Sequence, residues 1–265
     1  MRFPESPRFH FVPRERLKPR FGSIHARDVY VYLPQAALQD ARRRFPVLYC
    51  QDGQNIWDDP EACFGHGGWC LNRTVDDLTT TGQIEPVILV GIPNTTDRKQ
   101  EYTAGRSYAD LRDHAYANYL CDVIKPYVER HFPARKDRRV TGLLGSSLGG
   151  LISLLIAHHY PQMFGRVACL SGAFECKDRE GKTFLDFLWE CGRQDLRIYL
   201  DAGTIRDGAP WTRKVRDIYL ALGWETGRDL FHYEDVGAEH NERFWRARVW
   251  RALTFLYGRP TSATG

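Results

Sequence analysis

The sequence lacks the long apolar runs and repeated units that identify several classes of protein. Its 265 residues contain no uninterrupted stretch of about 20 apolar side chains, the length that spans a bilayer. The first 20 residues carry basic side chains but no apolar segment of the kind that a secretory signal contains. No internal repeat, low-complexity tract or Gly/Ser linker divides the chain. We therefore expect a compact, cytoplasmic protein with one folded domain and no membrane partner.

The cysteines also follow no recognisable framework. There are seven of them, an odd number at irregular spacing, which predicts reduced thiols and not a disulfide-stabilised fold. The segment CFGHGGWC places Cys63, His66 and Cys70 at a spacing that faintly suggests a metal site, but a fourth ligand is missing. We interpret it as a packed loop, and we expect neither a metal nor an organic cofactor.

An excess of positive charge is confined to the N-terminus. The chain has a formal net charge of +4, and residues 1–20 contain six Arg or Lys against two Glu, so the remainder is neutral. We interpret residues 1–20 as a basic, solvated N-terminal arm. No finger, recognition helix or aromatic and basic pattern accompanies it, so no nucleic-acid partner is expected. The predicted domain covers residues 21–258, and a tail follows over residues 259–265.

Short apolar runs rich in Val, Ile and Tyr alternate along the chain with longer segments of helical period. Seven such runs are strand candidates: residues 28–34, 45–53, 86–93, 139–146, 166–172, 196–203 and 230–237. This alternation is typical of an α/β fold, a mostly parallel sheet with helices on both faces. Only about two dozen residues separate the fifth run from the sixth, so one helix fills that space and no large cap domain fits there.

Three further segments have the period of amphipathic helices. Residues 108–131 predict a long helix with a bend at Pro126, because an interior proline removes a hydrogen bond. Residues 210–223 place their apolar side chains on one helical face, and residues 239–257 form the last amphipathic helix. Such helices supply the layers that cover a sheet.

The segment LLGSSLGG, residues 143–150, has the composition of a nucleophile elbow. It lies between the fourth strand candidate and a buried helix, which is the context that a Gly-x-Ser-x-Gly motif requires. The residues two before and two after an elbow nucleophile are forced together, so both must be small. Ser147 has Gly145 and Gly149 at those positions. Ser146 has two leucines there, so Ser147 is the candidate nucleophile.

The candidate general base is His240, which follows the last strand candidate and so lies at the same edge of the sheet as the elbow. The orienting carboxylate belongs in the loop after the sixth strand candidate, where the chain offers Asp201 and Asp207. Asp201 ends the strand and is suited to bracing the turn. Asp207 lies further into the loop, where it is free to orient an imidazole. We favour Asp207 and retain Asp201 as the alternative.

Two backbone amides are the candidate oxyanion donors. One is the N–H of Leu148, at the N-terminus of the helix that follows the nucleophile. The other is the N–H of Gln54, in the loop QDGQN after the second strand candidate, where a glycine allows close approach. Asp52 is interpreted as a residue that fixes this loop, and Arg98 and Glu101 are interpreted as a structural ion pair.

Aromatic and basic side chains near these loops are the candidate substrate contacts. Trp57, Phe64, Trp69 and Trp211 are predicted to be either pocket walls or core residues. Arg206, beside the favoured acid, is placed to meet an anionic substrate, although a solvated loop arginine is the simpler interpretation. Without a cap domain, we expect the site to be open enough for a bulky ester.

These motifs together resemble the esterase family of the α/β-hydrolase superfamily, which includes enterochelin esterases, feruloyl and acetyl-xylan esterases, esterase D-like S-formylglutathione hydrolases and mycolyltransferases of the antigen 85 type. The resemblance rests on FPVLYCQDGQN, PVILVGIPNTTDRKQEYT, VTGLLGSSLGGLISL, IYLDAGTIRD and GAEHNERFW, which occur in family order over residues 24–257. It implies Ser147 as nucleophile, His240 as base and an acid in the loop after IYLDAG. It also implies oxyanion donors at Gln54 and Leu148, and the family's acid a few positions beyond a Gly-Thr turn favours Asp207.

The sequence thus predicts a serine carboxylic ester hydrolase that acts through a Ser-His-Asp triad and an acyl-enzyme. The expected partner is a small-molecule ester of the aryl, sugar or siderophore type. Two alternatives stay open. One is an acyltransferase, in which a second alcohol replaces water, and the other is a catalytically silent binding protein of the same fold, because a fold does not fix a function.

Overall fold

The computed structural model describes residues 6–20, 24–59, 67–103, 107–111 and 114–259. Within these residues the backbone forms eight strands: β1 (Phe9–Val12), β2 (Val29–Tyr32), β3 (Val47–Gln51), β4 (Ile88–Ile92), β5 (Thr141–Ser146), β6 (Arg166–Leu170), β7 (Arg197–Ile205) and β8 (Leu230–Glu239). The helices are α1 (Ala36–Gln39), α2 (Leu71–Thr80), α3 (Arg98–Tyr102), α4 (Ala115–Tyr119), α5 (Lys125–His131), α6 (Leu148–His159), α7 (Phe184–Cys191), α8 (Ala209–Ala221) and α9 (Glu242–Tyr257).

All eight strands belong to one sheet, in the order β1-β2-β4-β3-β5-β6-β7-β8. The pairs β1/β2 and β2/β4 are antiparallel, and the pairs from β4/β3 to β7/β8 are parallel. The chain adds β4 on one side of β3 and then crosses to add β5 on the other side. In sheets of this kind, ligands bind beyond the carboxyl ends of the strands at such a switch point. The topology therefore directs attention to the loops that follow β3 and β5.

The pleat of the strands divides the core into two layers. In β3, Val47 and Tyr49 pack on one face of the sheet, while Leu48 and Cys50 pack on the other. Helices α3 to α8 contribute to the first layer, and α2 and α9 to the second. Both layers are continuous because successive side chains of a strand point to opposite faces.

Helix α6 is buried along almost its whole length. Ten of its 12 residues are buried, and it packs against β5 and β6. A helix that is apolar all round belongs in the interior of a protein. Its N-terminus, directly after Ser147, is therefore held at a fixed place beside the central strands.

All seven predicted strands are present, and the predicted α/β class with its mostly parallel sheet is confirmed. The predicted helix over residues 210–223 corresponds to α8. As expected, the segment between β6 and β7 contains a single helix, α7, and no cap domain.

The interpretation of residues 1–20 as a solvated arm is wrong for residues 9–12. They form the edge strand β1, which pairs with all four residues of β2. Arg8 makes a bidentate ion pair with Asp76 of α2, at 2.9 and 2.5 Å, and Arg14 pairs with Asp28 at 2.9 Å. The basic side chains of this segment thus neutralise carboxylates of the domain. The sequence does not reveal this strand, because a segment of four residues between prolines and arginines is too short to show the alternation of a strand.

Two predicted helices begin later than expected. The helix predicted over residues 108–131 begins at Ala115, because the backbone of His114 is extended and its imidazole accepts a hydrogen bond from Ala117 N–H at 3.2 Å. Pro126 follows a wide turn of π-helix at Leu120–Ile124, which accommodates the missing proline N–H. The last helix begins at Glu242 instead of residue 239, since β8 continues to Glu239.

In the described ranges, no helix has both the length and the apolar composition needed to cross a bilayer.

Candidate active site

The turn between β5 and α6 has the strained geometry of a nucleophile elbow. Ser147 has φ 56° and ψ −127°, a conformation that non-glycine residues rarely adopt. Its N–H donates to Leu170 O at 2.9 Å. A Cβ atom on Gly145 would lie 2.3 Å from the backbone carbon of Gly149. The two glycines are therefore forced together around Ser147, as the sequence predicts.

The two adjacent serines differ in their surroundings. Ser146 is the last residue of β5 and is buried, while Ser147 lies at the turn and is half-exposed. A nucleophile must be reached by the substrate. The geometry thus places Ser147, and not Ser146, where a hydroxyl can act.

His240 and Asp207 are in direct contact. His240 Nδ1 lies 2.6 Å from Asp207 Oδ1. His240 directly follows β8 and is 39% exposed, while Asp207 is completely buried. The second carboxylate oxygen of Asp207 accepts hydrogen bonds from Ser171 Oγ at 2.7 Å and from Gly203 N–H at 2.5 Å. The carboxylate is thus fixed from two sides and presents its other oxygen to the imidazole.

These hydrogen bonds keep Asp207 ionised. Burial by itself would raise the pKa of Asp207, but the hydrogen bonds from His240, Ser171 and Gly203 outweigh it and hold the pKa below its usual range. A buried carboxylate that stays charged can orient an imidazole and stabilise its protonated form.

Asp201, the other acid considered, has different partners. Its carboxylate accepts a hydrogen bond from Tyr199 OH at 2.9 Å and forms an ion pair with Arg248 Nε at 3.0 Å. Burial raises the pKa of Asp201 to about 6, although Arg248 and Tyr199 act in the opposite direction. Of the two aspartates, the structure brings Asp207 to His240 and Asp201 to Arg248.

Arg248 is a component of the site that the sequence analysis missed. It is 2% exposed, and its Nη2 donates to Ser171 Oγ at 2.6 Å and to Asp207 Oδ2 at 3.2 Å. Burial lowers the pKa of an arginine, but the two carboxylates Asp201 and Asp207 hold the pKa of Arg248 above its ordinary value. A signal for it existed in the sequence. Arg248 follows Trp245 by three residues and so lies on the apolar face of the last helix.

Two tryptophans form a layer behind the imidazole. The ring of Trp245 packs edge-on against His240, with centroids 5.0 Å apart, and its Nε1 donates to Ser171 Oγ at 2.8 Å. Trp69 packs against Trp245 at 5.7 Å and is 3% exposed. Of the two alternatives for Trp69, a pocket wall that contacts substrate and a core residue, its burial favours the core residue, because its surface is covered by the side chain that supports His240.

The loop after β3 is held by ionic and polar contacts to Asp52. Arg98 makes a bidentate ion pair with the Asp52 carboxylate, at 2.6 and 2.8 Å, and Asn94 Nδ2 donates to Asp52 Oδ1 at 2.6 Å. Asp52 thus fixes the loop, as expected. The predicted pairing of Arg98 with Glu101 is wrong, since Glu101 turns the other way and pairs with the buried Arg27 at 2.6 Å.

This loop touches the start of α6. A Cβ atom on Gly149 would lie 2.8 Å from Asp52 Oδ2, so only glycine allows the two segments to approach this closely. The side chain of Gln54 accepts a hydrogen bond from Asn94 N–H at 3.1 Å, which ties the residue to the loop after β4. Gln54 and Leu148, the first residue of α6, therefore belong to neighbouring segments at the switch point.

The other predicted substrate contacts, Trp57, Trp211 and Arg206, differ in how far they are exposed. Trp57 is 1% exposed and packs against Phe9 at 5.2 Å, which favours the core alternative over a substrate contact. Trp211 is half-buried on α8, with the Lys214 ammonium 4.7 Å from its ring. Arg206 is exposed and has φ 52°.

Part of the predicted packed loop lies outside the described residues, namely Cys63, Phe64 and His66. The described ranges contain no group of three or more His, Cys, Asp or Glu side chains that could hold a metal ion.

The order of the strands, the elbow after β5 and the histidine after the last strand define a protein of the α/β-hydrolase fold. A family model described as "Putative esterase" matches residues 24–256. The chain therefore belongs to this esterase family, and its class is that of the carboxylic ester hydrolases.

Known proteins of several kinds are similar to it. The uncharacterized protein YbbA of Bacillus subtilis is 24% identical over 253 residues, which cover 88% of this chain and 93% of that protein. An endo-1,4-beta-xylanase/feruloyl esterase of Xylanibacter ruminicola is 29% identical over 145 residues, which cover 54% of this chain and 19% of that protein. The crystal structure of the enterobactin esterase FES from Shigella flexneri in the presence of enterobactin aligns with a TM-score of 0.70 and 23% identity, covering 96% of this chain and 59% of that one.

Proposed function

We propose that this protein hydrolyses carboxylic esters through a triad of Ser147, His240 and Asp207. The observation that carries the proposal is the 2.6 Å contact between His240 Nδ1 and the buried Asp207, at the sheet edge where the strained Ser147 also lies. Both Ser147 and Asp207 are hydrogen-bonded to the end of β6. Ser147 N–H donates to Leu170 O, and the hydroxyl of the next residue, Ser171, donates to Asp207. The arrangement suits nucleophilic catalysis by an activated serine.

In the proposed reaction Ser147 Oγ attacks the ester carbonyl while His240 Nε2 accepts its proton. Asp207 keeps the imidazole in the tautomer that exposes Nε2 and stabilises the imidazolium. The alcohol then leaves with the proton from His240, and an acyl-enzyme forms on Ser147. Water repeats the sequence, with His240 again as base, and releases the acid.

Two backbone N–H groups are the proposed oxyanion donors, those of Leu148 and Gln54. Leu148 begins α6, where the helix dipole adds to the stabilisation of a developing negative charge. The loop of Gln54 is braced by the Asp52 and Arg98 ion pair and meets the start of α6 at Gly149. These contacts hold the two segments without a substrate, which supports the proposal of preorganised oxyanion donors.

The proposed substrate is an ester of the aryl, sugar or siderophore type. Between β6 and β7 the chain supplies one helix of eight residues, so no cap domain is built there to exclude a bulky ester. The similar proteins named above include a feruloyl esterase and an enterobactin esterase. The chain spans 59% of the length of the enterobactin esterase, so the substrate of this chain is inferred from its own site. Arg206 and Trp211, in the loop and helix that follow β7, are the candidate contacts.

The first test replaces each of the two adjacent serines. Hydrolysis is measured on p-nitrophenyl esters of short and long acids, feruloyl esters and a catechol trilactone. We expect Ser147→Ala to lose activity by a factor of about 10⁴ or more, while Ser146→Ala retains measurable turnover. Equal activity of Ser147→Ala and the wild type would overturn the proposal.

The second test separates the two aspartates. Asp207→Asn keeps the shape of the side chain but allows the wrong imidazole tautomer, so kcat should fall by a factor of about 10³ to 10⁴. Asp201→Asn, which changes a residue that faces Arg248, should lower kcat by a much smaller factor. A larger loss in Asp201→Asn than in Asp207→Asn would assign the triad carboxylate to Asp201 instead.

A further inference from the structure

A cleft lined by arginines lies at the end of the sheet opposite the candidate active site. It has a volume of about 450 Å³, and its walls include Arg138, Arg139, Arg166, Arg193, Arg197 and Arg228. Arg166 is the first residue of β6 and Arg197 the first residue of β7. The cleft therefore lies at the amino ends of these strands, whereas the proposed triad lies at their carboxyl ends. It is a separate site, which the ester hydrolysis proposed above does not use.

Two positive charges lie side by side in the cleft, and in the part of the chain that the structure describes only one of them has a carboxylate within 4 Å. Arg166 and Arg197 are direct register partners in the β6/β7 pair. Like charges in such positions repel each other. Arg197 donates through Nε to the carbonyl of Phe255 at 2.8 Å, and the described residues place no carboxylate within ion-pair distance of it. Arg166 reaches Glu85 only at 3.8 Å, and that carboxylate is already held by Arg135 at 2.8 Å.

Aromatic rings hold these guanidinium groups in place. Arg166 lies over the ring of Tyr257 at 4.7 Å, and Arg197 lies over that of Phe255 at 4.4 Å. Stacking of this kind fixes the plane of a guanidinium and leaves the N–H groups at its edge available for an oxyanion. Arg166 Nη1 is buried and has no hydrogen-bond partner among the described residues. Its contact to the Glu85 carboxylate, at 3.8 Å, is too long for a hydrogen bond, so the fold satisfies Arg166 only weakly.

The outer arginines of the cleft are positioned by aspartates. Arg138 pairs with Asp195 at 2.7 Å, and Arg193 and Arg228 pair with Asp229 at 2.7 and 3.1 Å. Arg139 also pairs with Asp137 at 3.5 Å, and Arg228 also pairs with Glu225, so the excess of positive charge is concentrated at Arg166 and Arg197. Burial and the charge of Arg166 also lower the pKa of Arg197, as expected where cations outnumber anions.

We propose that the cleft binds a small oxyanion of the phosphate class that carries at least two negative charges, with Arg166 and Arg197 as its principal ligands. Guanidinium groups recognise phosphate oxygens through paired N–H donors, and the bound anion would cancel the repulsion between the two arginines. The concave shape and the volume match a small ligand. Walls made mainly of charged groups do not suit an apolar ester, so the ligand differs in chemistry from the proposed substrate.

The test measures binding of inorganic phosphate and of pyrophosphate to the full chain by calorimetry, with the ionic strength held constant by chloride. We expect one pyrophosphate per chain, bound more tightly than phosphate and weakened by added salt. Arg166→Gln and Arg197→Gln should each weaken binding by about tenfold or more. The matched control is Arg213→Gln, which makes the same change of charge at an arginine paired with Glu234 at 2.7 Å, outside the cleft.

Ester hydrolysis by each variant serves as the check that the chain is folded. If Arg197→Gln does not fold, Arg166→Gln decides the question, because Arg166 makes only a long contact to Glu85, at 3.8 Å, whereas Arg197 donates to the carbonyl of Phe255 at 2.8 Å. Absence of binding to the wild type would overturn the proposal. Equal affinity in Arg166→Gln and the wild type, or an equal loss in Arg213→Gln, would show a nonspecific charge effect and would overturn it as well.

Discussion

At the scale of single residues, the site rests on an arginine buried between two buried aspartates. Arg248 contacts Asp207 at 3.2 Å and pairs with Asp201 at 3.0 Å, and it also faces Asp235 at 3.7 Å. Around this cluster lie Tyr199 OH on β7 and the thiol of Cys169 on β6, and burial raises the pKa of both groups well above its usual value. The positive charge of Arg248 therefore weakens the attraction between the Asp207 carboxylate and a protonated His240. The negative charge of Asp201 partly cancels that of Arg248.

This charge arrangement predicts opposite pH effects for two substitutions. Arg248→Met removes a positive charge and so favours the imidazolium, which should move the acid limb of kcat/KM to higher pH. Asp201→Asn removes a negative charge, which should move that limb to lower pH. The shift in Arg248→Met should be about one pH unit, or about 1.4 kcal/mol. The shift in Asp201→Asn should be smaller, because burial raises the pKa of Asp201 to about 6 and its carboxylate is partly protonated near that pH. The profiles are measured with one p-nitrophenyl ester between pH 5 and 9.

The double variant Arg248→Met with Asp201→Asn removes both charges and serves as the control. Its acid limb should return close to that of the wild type. A loss of packing alone would not move the acid limb in opposite directions in the two single variants. Shifts of the limb in the same direction would therefore contradict this account.

The elbow glycine provides a second test at the residue scale. A Cβ atom on Gly145 would meet the backbone of Gly149 at 2.3 Å, and neither segment can move without displacing α6. Gly145→Ala should therefore lower the free energy of unfolding by about 3 kcal/mol and abolish hydrolysis. Gly181, in an open turn with φ 80° and no atom within 4 Å of an added Cβ, is the control. Gly181→Ala should cost about 1 kcal/mol and leave hydrolysis intact, and similar losses in both variants would contradict the packing argument.

At the scale of elements, Arg8, the residue before the edge strand β1, holds that strand to the rest of the domain. The Arg8 guanidinium binds Asp76 through two nitrogens, donates to Leu33 O at 2.8 Å and lies over the ring of Tyr32 at 4.4 Å. These contacts connect β1 to α2 and to the end of β2. Arg8 is 15% exposed, so water screens the pair less than it screens a surface pair.

Arg8→Gln should consequently lower the free energy of unfolding by about 1 to 2 kcal/mol, measured by urea denaturation. Arg14 offers a matched comparison, because it also pairs with an aspartate but is 58% exposed. Arg14→Gln should change stability by about 0.5 kcal/mol or less. If the two variants lose the same stability, β1 is not held by Arg8.

At the scale of the whole molecule, two histidines with lowered pKa values make the fold sensitive to acid, the buried His158 and the half-buried His114. Burial lowers the pKa of His158 to about 3 and that of His114 to about 4, so both are neutral in the folded protein. As the pH falls below about 6.5, the unfolded chain binds protons at these positions that the folded chain does not bind, and stability falls. Asp201 acts in the opposite direction between about pH 6 and 4, because its pKa is raised in the folded state. The two histidines outnumber it.

His158→Gln tests this acid sensitivity. Glutamine does not titrate and can still contact Tyr219 OH, which lies 2.8 Å from His158 Nε2. Between pH 6.5 and 5 the variant should lose less unfolding free energy than the wild type. The difference should be up to about 1.4 kcal/mol per pH unit, which corresponds to the uptake of one proton on unfolding. Urea midpoints at several pH values measure it. His131, which is exposed, provides the control substitution His131→Gln, and an unchanged pH dependence in His158→Gln would contradict the assignment.

The molecule also shows which features a sequence can predict. Strands β2 to β8 are recognisable because each is a short apolar run bounded by turn residues, and α8 because its apolar side chains repeat with the helical period. Strand β1 is not recognisable, since it is four residues long and its stability comes from pairing with β2 and from Arg8. Trp57 and Trp69 show the limit for aromatic residues, because a pocket wall and a core residue have the same composition and differ only in what covers them.

The sequence by itself determined the α/β order of the elements, the elbow at Ser147 and the place of His240 after the last strand. These features follow from local periodicity and from steric limits within a few residues. Only the tertiary structure showed which of the two aspartates contacts His240, because Asp201 and Asp207 are six positions apart and differ in the partners that distant segments bring to them. It also revealed Arg248, Ser171 and Trp245 as their neighbours. Such contacts join α9 to the ends of β6 and β7, and they exist only once the sheet has assembled.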